Sequence, residues 1–581
     1  MSTHPEPFGP EPEAIFEDST MPRRLPTPFE WYGAPPLTCS ELLMYQLSWT
    51  LRSKPDWQAQ AADPTIRAKW REEAIVAANN EEKSEFLNQS LMKESMIDYV
   101  LAELEGHARI SDKEAGIERG CFEGIWYSDR IVSDEALQRL KNAVRVLEDE
   151  ETKDWHPGSD GQVLVLIDHS LYGVVYGRTH AYLPNEPRIR DNYLPAIPQW
   201  VDTVDNSWRS EKFMWLPSDF FVEETGAVKL LSPYINNLHP ERYEPLYRVI
   251  EEIIATFVPL WERVLGDANP EGRTFPWHRS GRMKPVGCVW GPNGEPYPVE
   301  IPEGEDEDIV VKNVLKMAPK YLPEATVYDG QLEKRYRRLP LRERTIQCII
   351  QMANIHLTPE KPEYESGDWE IEGMANERIA ACATYCYEEE NIKDALFKFR
   401  VSTDEPEAHE IFDNDCMQAL YGLDDDDPCV QEIGAVSTQG GRVVAWSNLF
   451  EHLTNPCSLA DFRKPGYRKL FTVFLVDPSA DRVTSTSDVA PQQSEWAADA
   501  LMEAFDSDAF ASDGGSRTVG KLPFIPQELR DIVRSCVGGA EGVMTLHDAE
   551  QERLRMMDER YELLGSVSEK IFGAPFRMQN D

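Results

Sequence analysis

Hydrophobic positions along the chain follow two periods, and the change between them divides it. From Thr38 the spacing is helical: Cys39–Tyr45 predicts a helix with Ser40 as its N-cap. Asp63-Pro64-Thr65 opens a second, with Pro64 in the first turn, where a missing N–H costs least. Phe86, Leu87, Leu91, Met92, Met96, Val100, Leu101 and Leu104 make one stripe, predicting a helix from Asn80 to His107. Gln138–Glu148 predicts a fourth, capped at Ser133 or Asp134. The period then shortens. Gln162–Ile167, Val174–Tyr176, Phe213–Leu216, Phe220–Val222 and Val228–Leu231 read as short buried strands between turn residues. One amphipathic helix, Glu244–Leu265, interrupts them with a broad apolar face and is expected to lie across a sheet. Strands resume at Thr345–Leu357, Ile379–Tyr387, Leu396–Val401, Ile433–Ser437, Arg442–Ser447 and Tyr467–Asp477, and Gln551–Leu564 is helical again.

This pattern predicts an α+β protein whose core is a sandwich or jelly-roll barrel. It carries a long covering helix, a helical N-terminal region and a helical C-terminal tail. The expected division is a Pro-rich, acidic, disordered or loosely docked lead (1–30), a helical region (31–155), the β core (156–500) and a polar tail (501–581). Two long surface loops are expected in the core, near 266–310, where a lid could form, and near 402–430.

Charge narrows the choice of partners. The 581 residues hold 102 acidic against 59 basic side chains, a formal net charge of −43, and no basic run that would neutralise phosphates. Nucleic acid and anionic membrane surfaces are therefore not expected, and no apolar run is long enough to span a bilayer. Ten cysteines stand singly, without a CxxC pair, and the first residues lack the pattern of an export signal. An intracellular, cytoplasmic protein acting on a small molecule is the expectation.

Candidate chemistry concentrates between Tyr364 and Tyr387. In Trp369-Glu370-Ile371-Glu372 alternation points both carboxylates the same way, which buried requires a partner, a proton or a metal. A solvated strand face is the simpler alternative. His452, just after a strand-like run, and Arg468, opening the last strong strand, could join them at the mouth of a jelly roll. Two histidines and a carboxylate on one face hold iron(II) and leave positions for a 2-oxo acid and oxygen, and a basic residue then clamps the far carboxylate. Tyr234, Asn236 and His239 could line the pocket, whereas His156 reads as part of a Pro-Gly turn. The Asp424–Asp427 run reads as a solvated loop rather than a calcium site.

Several stretches resemble a large, mainly fungal family of unknown function whose core is similar to iron(II)/2-oxoglutarate-dependent dioxygenases. They include Lys153–Asp160, Asp168–Tyr172, Tyr234–Pro240, Asn354–Tyr364, Trp369–Asn376, His452–Ser458, Lys464–Arg468 and Phe474–Pro478. The resemblance implies a double-stranded β-helix, Fe(II) and 2-oxoglutarate as cofactors, metal ligands at Glu372 and His452, and Arg468 on the co-substrate. It also implies a departure: the family reads Trp-His-x-Glu where this chain has Glu370, so the first ligand becomes a carboxylate, and a nearby family His is Arg378. Three readings follow. The chain is an oxygenase with Glu370 as ligand, an iron-independent enzyme using Glu370 and Glu372 as general acid and base, or a non-catalytic binding or scaffold protein.

Overall fold

The computed structural model describes residues 25–29, 34–80, 90–182, 193–196, 208–268, 281–284, 300–317, 324–365, 367–406, 414–506 and 526–577. Its centre is a ten-stranded sheet. In chain order these strands are β1 (Ile117–Arg119), β2 (Ile125–Ser128), β3 (Asp154–Trp155), β4 (Val163–Ile167), β5 (Ser218–Val222), β6 (Val228–Leu230), β7 (Arg344–Leu357) and β8 (Ile379–Glu390). After them come β9 (Leu396–Ser402), β10 (Val430–Ser437), β11 (Val443–Ser447), β12 (Glu451–Thr454) and β13 (Gly466–Val476). The large sheet runs β1-β2-β11-β8-β13-β7-β4-β3, with β5 paired to the first part of β7 and β6 to β5. A second sheet, β10-β9-β12, and a short ladder of Glu363–Tyr364, Cys457–Leu459 and Ile392–Lys393 form the facing wall. From β7 onward the chain winds between the two walls, the jelly-roll order of a double-stranded β-helix.

Burial on both faces explains why the longest strands read as nearly continuous apolar runs. On β8, Ala381, Ala383, Tyr385 and Tyr387 join the core beneath the covering helix Glu244–Ala268. Cys382 faces the other way, into the barrel with Phe474, Trp446 and Trp215. On β13 the alternation repeats: Phe471, Val473 and Leu475 meet the helix, Phe471 lying 5.9 Å from Phe257 between ring centres. Thr384 and Thr472, opposite one another inside, share a 2.9 Å hydrogen bond. The small Ala381 and Ala383 leave room for the helix to approach.

Several local expectations are corrected. The first helix, Cys39–Arg52, is capped by Thr38, not Ser40: the Glu41 amide donates to the Thr38 hydroxyl (3.2 Å), and the Thr38 amide donates to the Glu41 carboxylate (3.1 Å). Ser40 instead donates to the Leu91 carbonyl. The stripe read from Asn80 becomes a helix only at Glu94, ending at Ile110, and residues 81–89 lie outside the described residues. The acidic 402–430 segment contains a helix, Asn414–Tyr421, and residues 300–317 contain another, Glu307–Met317. The lead through residue 24, the stretches 269–280 and 285–299 of the loop where a lid was expected, and tail residues 507–525 lie outside the described residues.

The C-terminal helix Leu546–Val567 packs back on the core. Arg553 donates to Asp168 (2.6 Å) and Asp154 (2.9 Å), and Met556 joins the barrel-side cluster of Trp215 and Phe474.

Candidate metal centre

The segment Trp369–Glu372 is not a regular strand. It makes one antiparallel bridge to β12: the Glu370 amide donates to the His452 carbonyl (3.0 Å) and the His452 amide to the Glu370 carbonyl (2.9 Å). Alternation then puts Glu370 and Glu372 on one side and buried Ile371 on the other, against Ala375 and Phe29. One ligand atom from each of Glu370, Glu372 and His452 lies within 4.8 Å of the others. Among the described residues this is the group of acidic, His or Cys side chains able to hold a metal ion. The Asp424–Asp427 run folds on itself instead, the Asp424 amide donating to Asp427 (2.7 Å), and Arg577 pairs with Asp426.

His452 is set in the ligand form. Its ring lies 5.0 Å from Trp446 and 5.7 Å from Phe397 between centres. Nδ1 stands 3.1 Å from the Glu370 carbonyl, so Nδ1–H donates there and Nε2 keeps a lone pair, 3.6 Å from Glu372 Oε1. Burial lowers its pKa to about 4, so the imidazole is neutral at pH 7. The carboxyls move the other way. Glu370 keeps solvent access yet is surrounded by protein, and that enclosure, followed by the charge of Asp368, raises it to about 7. Burial and then the charge of Glu370 raise Glu372 well above the carboxylate range, while Arg560 pulls it down. A divalent ion would relieve both, and two carboxylates with a neutral imidazole are a donor set that fits one.

The residues expected on the co-substrate side are less close. Arg468 faces the barrel interior, 1% exposed, but its Nη2 donates to the carbonyl (2.8 Å) and hydroxyl (2.7 Å) of Thr438, and its Nε lies 3.6 Å from Glu389. It precedes Phe474, the strand partner of Cys382, by a stretch of β13 spanning about 20 Å. Cys382 marks the metal end, its sulfur 4.0 Å from Asn448 Oδ1. Buried Tyr234 and Asn236 donate to the carbonyls of Val489 (3.0 Å) and Leu171 (3.1 Å). His239 accepts the Glu241 and Arg242 amides and packs on Trp496. Arg378, where the family His was expected, donates to the Asp481 carbonyl. The His156 carbonyl accepts the Ser159 amide in its turn.

Three contributors were not foreseen. Asn448 accepts the Glu372 amide (2.8 Å) and donates to the carbonyls of Glu372 (2.8 Å) and Ile379 (3.1 Å), fixing the backbone that aims Glu372. Glu377 accepts the amides of Trp215 (2.8 Å) and Met374 (2.6 Å) and pairs with Arg560. A polar side chain just past a strand end was the only local sign of Asn448. Arg560 carried none, since it arrives from the distant C-terminal helix.

Fold and cluster together define a jelly-roll protein with a two-carboxylate, one-histidine cluster able to hold a metal ion, consistent with a two-histidine, one-carboxylate facial triad in which one histidine is replaced by glutamate. A family model described as "Protein of unknown function (DUF4246)" matches residues 94–500, and "Domain of unknown function DUF4246, N-terminal" matches residues 4–73. The chain belongs to this family. No curated protein matches the sequence. Among solved structures, the "Selenomethionine labeled Fe(II)/(alpha)ketoglutarate-dependent dioxygenase TqaL" is 8% identical, covering 59% of this chain and 76% of its own, with a TM-score of 0.23. IDO from Bacillus thuringiensis is 7% identical, covering 29% and 58%, with a TM-score of 0.15. Both scores are low, and the fold assignment rests on the strand order.

Proposed function

We propose that the chain is a non-haem iron(II)- and 2-oxoglutarate-dependent oxygenase acting on a small molecule, with Glu370 in the place of the first histidine ligand. The observation that carries this reading is the convergence of Glu370, Glu372 and a neutral His452 within 4.8 Å, on a double-stranded β-helix. When bound, iron(II) with a 2-oxo acid would supply oxygen activation. The chain's own part is to hold the ion with these three side chains. Trp446 and Phe397 fix the His452 ring, and Asn448 fixes the Glu372 backbone. Arg468, Tyr234 and Asn236 enter as co-substrate and pocket residues. A carboxylate reaching Arg468 must share its guanidinium with Thr438 and Glu389.

A second reading rests on the Glu370 carboxyl near 7, which suits a general acid or base without oxygen chemistry. Anaerobic titration of metal-free protein with Fe(II) and 2-oxoglutarate separates the two. A saturable metal-to-ligand charge-transfer band is expected. Its absence in wild type with recovery in Glu370→His would overturn the oxygenase reading and favour the second.

A further inference from the structure

A cleft of about 1640 Å³ opens on the side of the second sheet turned away from His452. Its walls are the first helix, through Leu42 and Trp49, the turn at 112–116, Tyr127 on β2 and Ala435 on β10. Alternation along β9 separates it from the metal ligands: Leu396 lines the cleft, while Phe397 faces the His452 ring, 5.7 Å away. The floor is aromatic. Trp49 meets Tyr127 edge-on at 5.7 Å, and the Arg442 guanidinium lies 4.6 Å over the Tyr127 ring.

The carboxylates beside these rings are already engaged. Asp129 accepts two bonds from Arg442, at 2.6 and 2.8 Å, and Glu118 accepts from the Trp57 indole (2.9 Å) and the Tyr127 hydroxyl (3.0 Å). Lys54, Lys113 and Arg130 line the same cleft with no carboxylate partner among the described residues, Arg130 donating only to the Lys113 carbonyl (3.0 Å). The unpaired lining acids are Asp56 and Glu432, so the cleft carries a local positive surplus on a chain of net charge −43.

Size and charge select the occupant. Small-molecule sites occupy about 300–1,000 Å³, less than this cleft. A second copy or a separate acidic protein is repelled by the net charge of the chain. An acidic segment already attached to the chain overcomes that repulsion, because tethering supplies a local concentration of about millimolar. The lead has the matching chemistry: Glu6, Glu11, Glu13, Glu17 and Asp18, no Lys or Arg before Arg23, and the apolar Phe8, Ile15 and Phe16. It also has the reach. Leu25 is held where its amide donates to Ser479 (3.0 Å), just past β13, and β2 stands three strands away, about 14 Å. Residues 6–18 precede Leu25 by a stretch that extends about 23–60 Å. The family model for residues 4–73 joins this lead to the first helix, one wall of the cleft.

We infer that residues 6–18 dock in this cleft, their carboxylates on Lys54, Lys113 and Arg130 and their aromatic rings on Trp49 and Tyr127. This docking is independent of the metal centre.

Carbodiimide cross-linking of the full chain, which joins a lysine amine to a carboxylate as an amide with loss of water, tests it by mass spectrometry on mixed unlabelled and 15N-labelled protein. Links from residues 6–18 to Lys54 or Lys113 should form within one chain and outnumber those to Lys69, whose side chain is 72% exposed. Phe16→Ser should lower their yield about tenfold, for the loss of one buried ring, and leave divalent-metal binding as in wild type. No link to Lys54 or Lys113, an equal yield at Lys69, or an unchanged yield in Phe16→Ser would each overturn the inference. Links joining only labelled to unlabelled chains would assign the cleft to a second copy and overturn it as well.

Discussion

His452 Nδ1 lies 3.1 Å from the backbone carbonyl of Glu370, while its Nε2 lies 3.6 Å from the Glu372 carboxylate. One candidate ligand therefore orients another through its main chain and faces a third with its free nitrogen.

Glu370 titrates near 7 in the fold and near the usual 4.3 when unfolded, so between these values the folded chain holds a proton that the unfolded chain has lost. This contribution to stability is full below about pH 4 and is lost as pH rises through about 7. His452, lowered to about 4, acts oppositely and loses stability as pH falls below 6.5. Metal-free Glu370→Gln should therefore melt above wild type at pH 8 but not at pH 4.5. Since Glu370 has solvent access, the gain should be about 1–2 °C. Scanning fluorimetry at the two pH values checks this, and an equal shift at both contradicts it.

Asn448 should matter to both fold and ligand geometry. Asn448→Ala leaves the Glu372 amide and two carbonyls without their partner, so it should cost about 2–3 kcal/mol of stability. It should also weaken divalent metal binding about tenfold, as loss of a supporting contact does elsewhere. Chemical denaturation and calorimetry read the two effects separately.

Arg553 anchors the C-terminal helix. Arg553→Met strands the buried Asp168 and should cost about 3–5 kcal/mol. Asp154→Asn removes a half-exposed partner and should cost about 1 kcal/mol or less. Equal losses in denaturant melts would show that the pair to Asp168 does not anchor the helix.

The sequence was most legible where burial is two-sided. The strands now seen as β7, β8 and β13, and the covering helix, stand out as long apolar runs because a core packs on each face. Glu370 and Glu372 were legible because alternation alone puts them on one side of a short extended segment. The Thr38 cap was legible too: Thr38-x-x-Glu41 carries the capping-box pattern, and Ser40 was the poorer choice. The Asn414–Tyr421 helix was hidden by the acidic residues on either side of it. Asn448 and Arg560 act across 76 and 183 residues of sequence, on Glu372 and Glu377, and no local pattern encodes such contacts.

The central claim is that Glu370, Glu372 and His452 hold one divalent ion. Anaerobic calorimetric titration of the metal-free chain with Fe(II) at pH 7.5 tests it most directly, compared with Glu372→Ala and His452→Ala. The account predicts saturation at about one ion per chain in wild type and about a hundredfold or greater loss of affinity in each variant. No saturable binding by wild type, or unchanged affinity in folded variants, would contradict it.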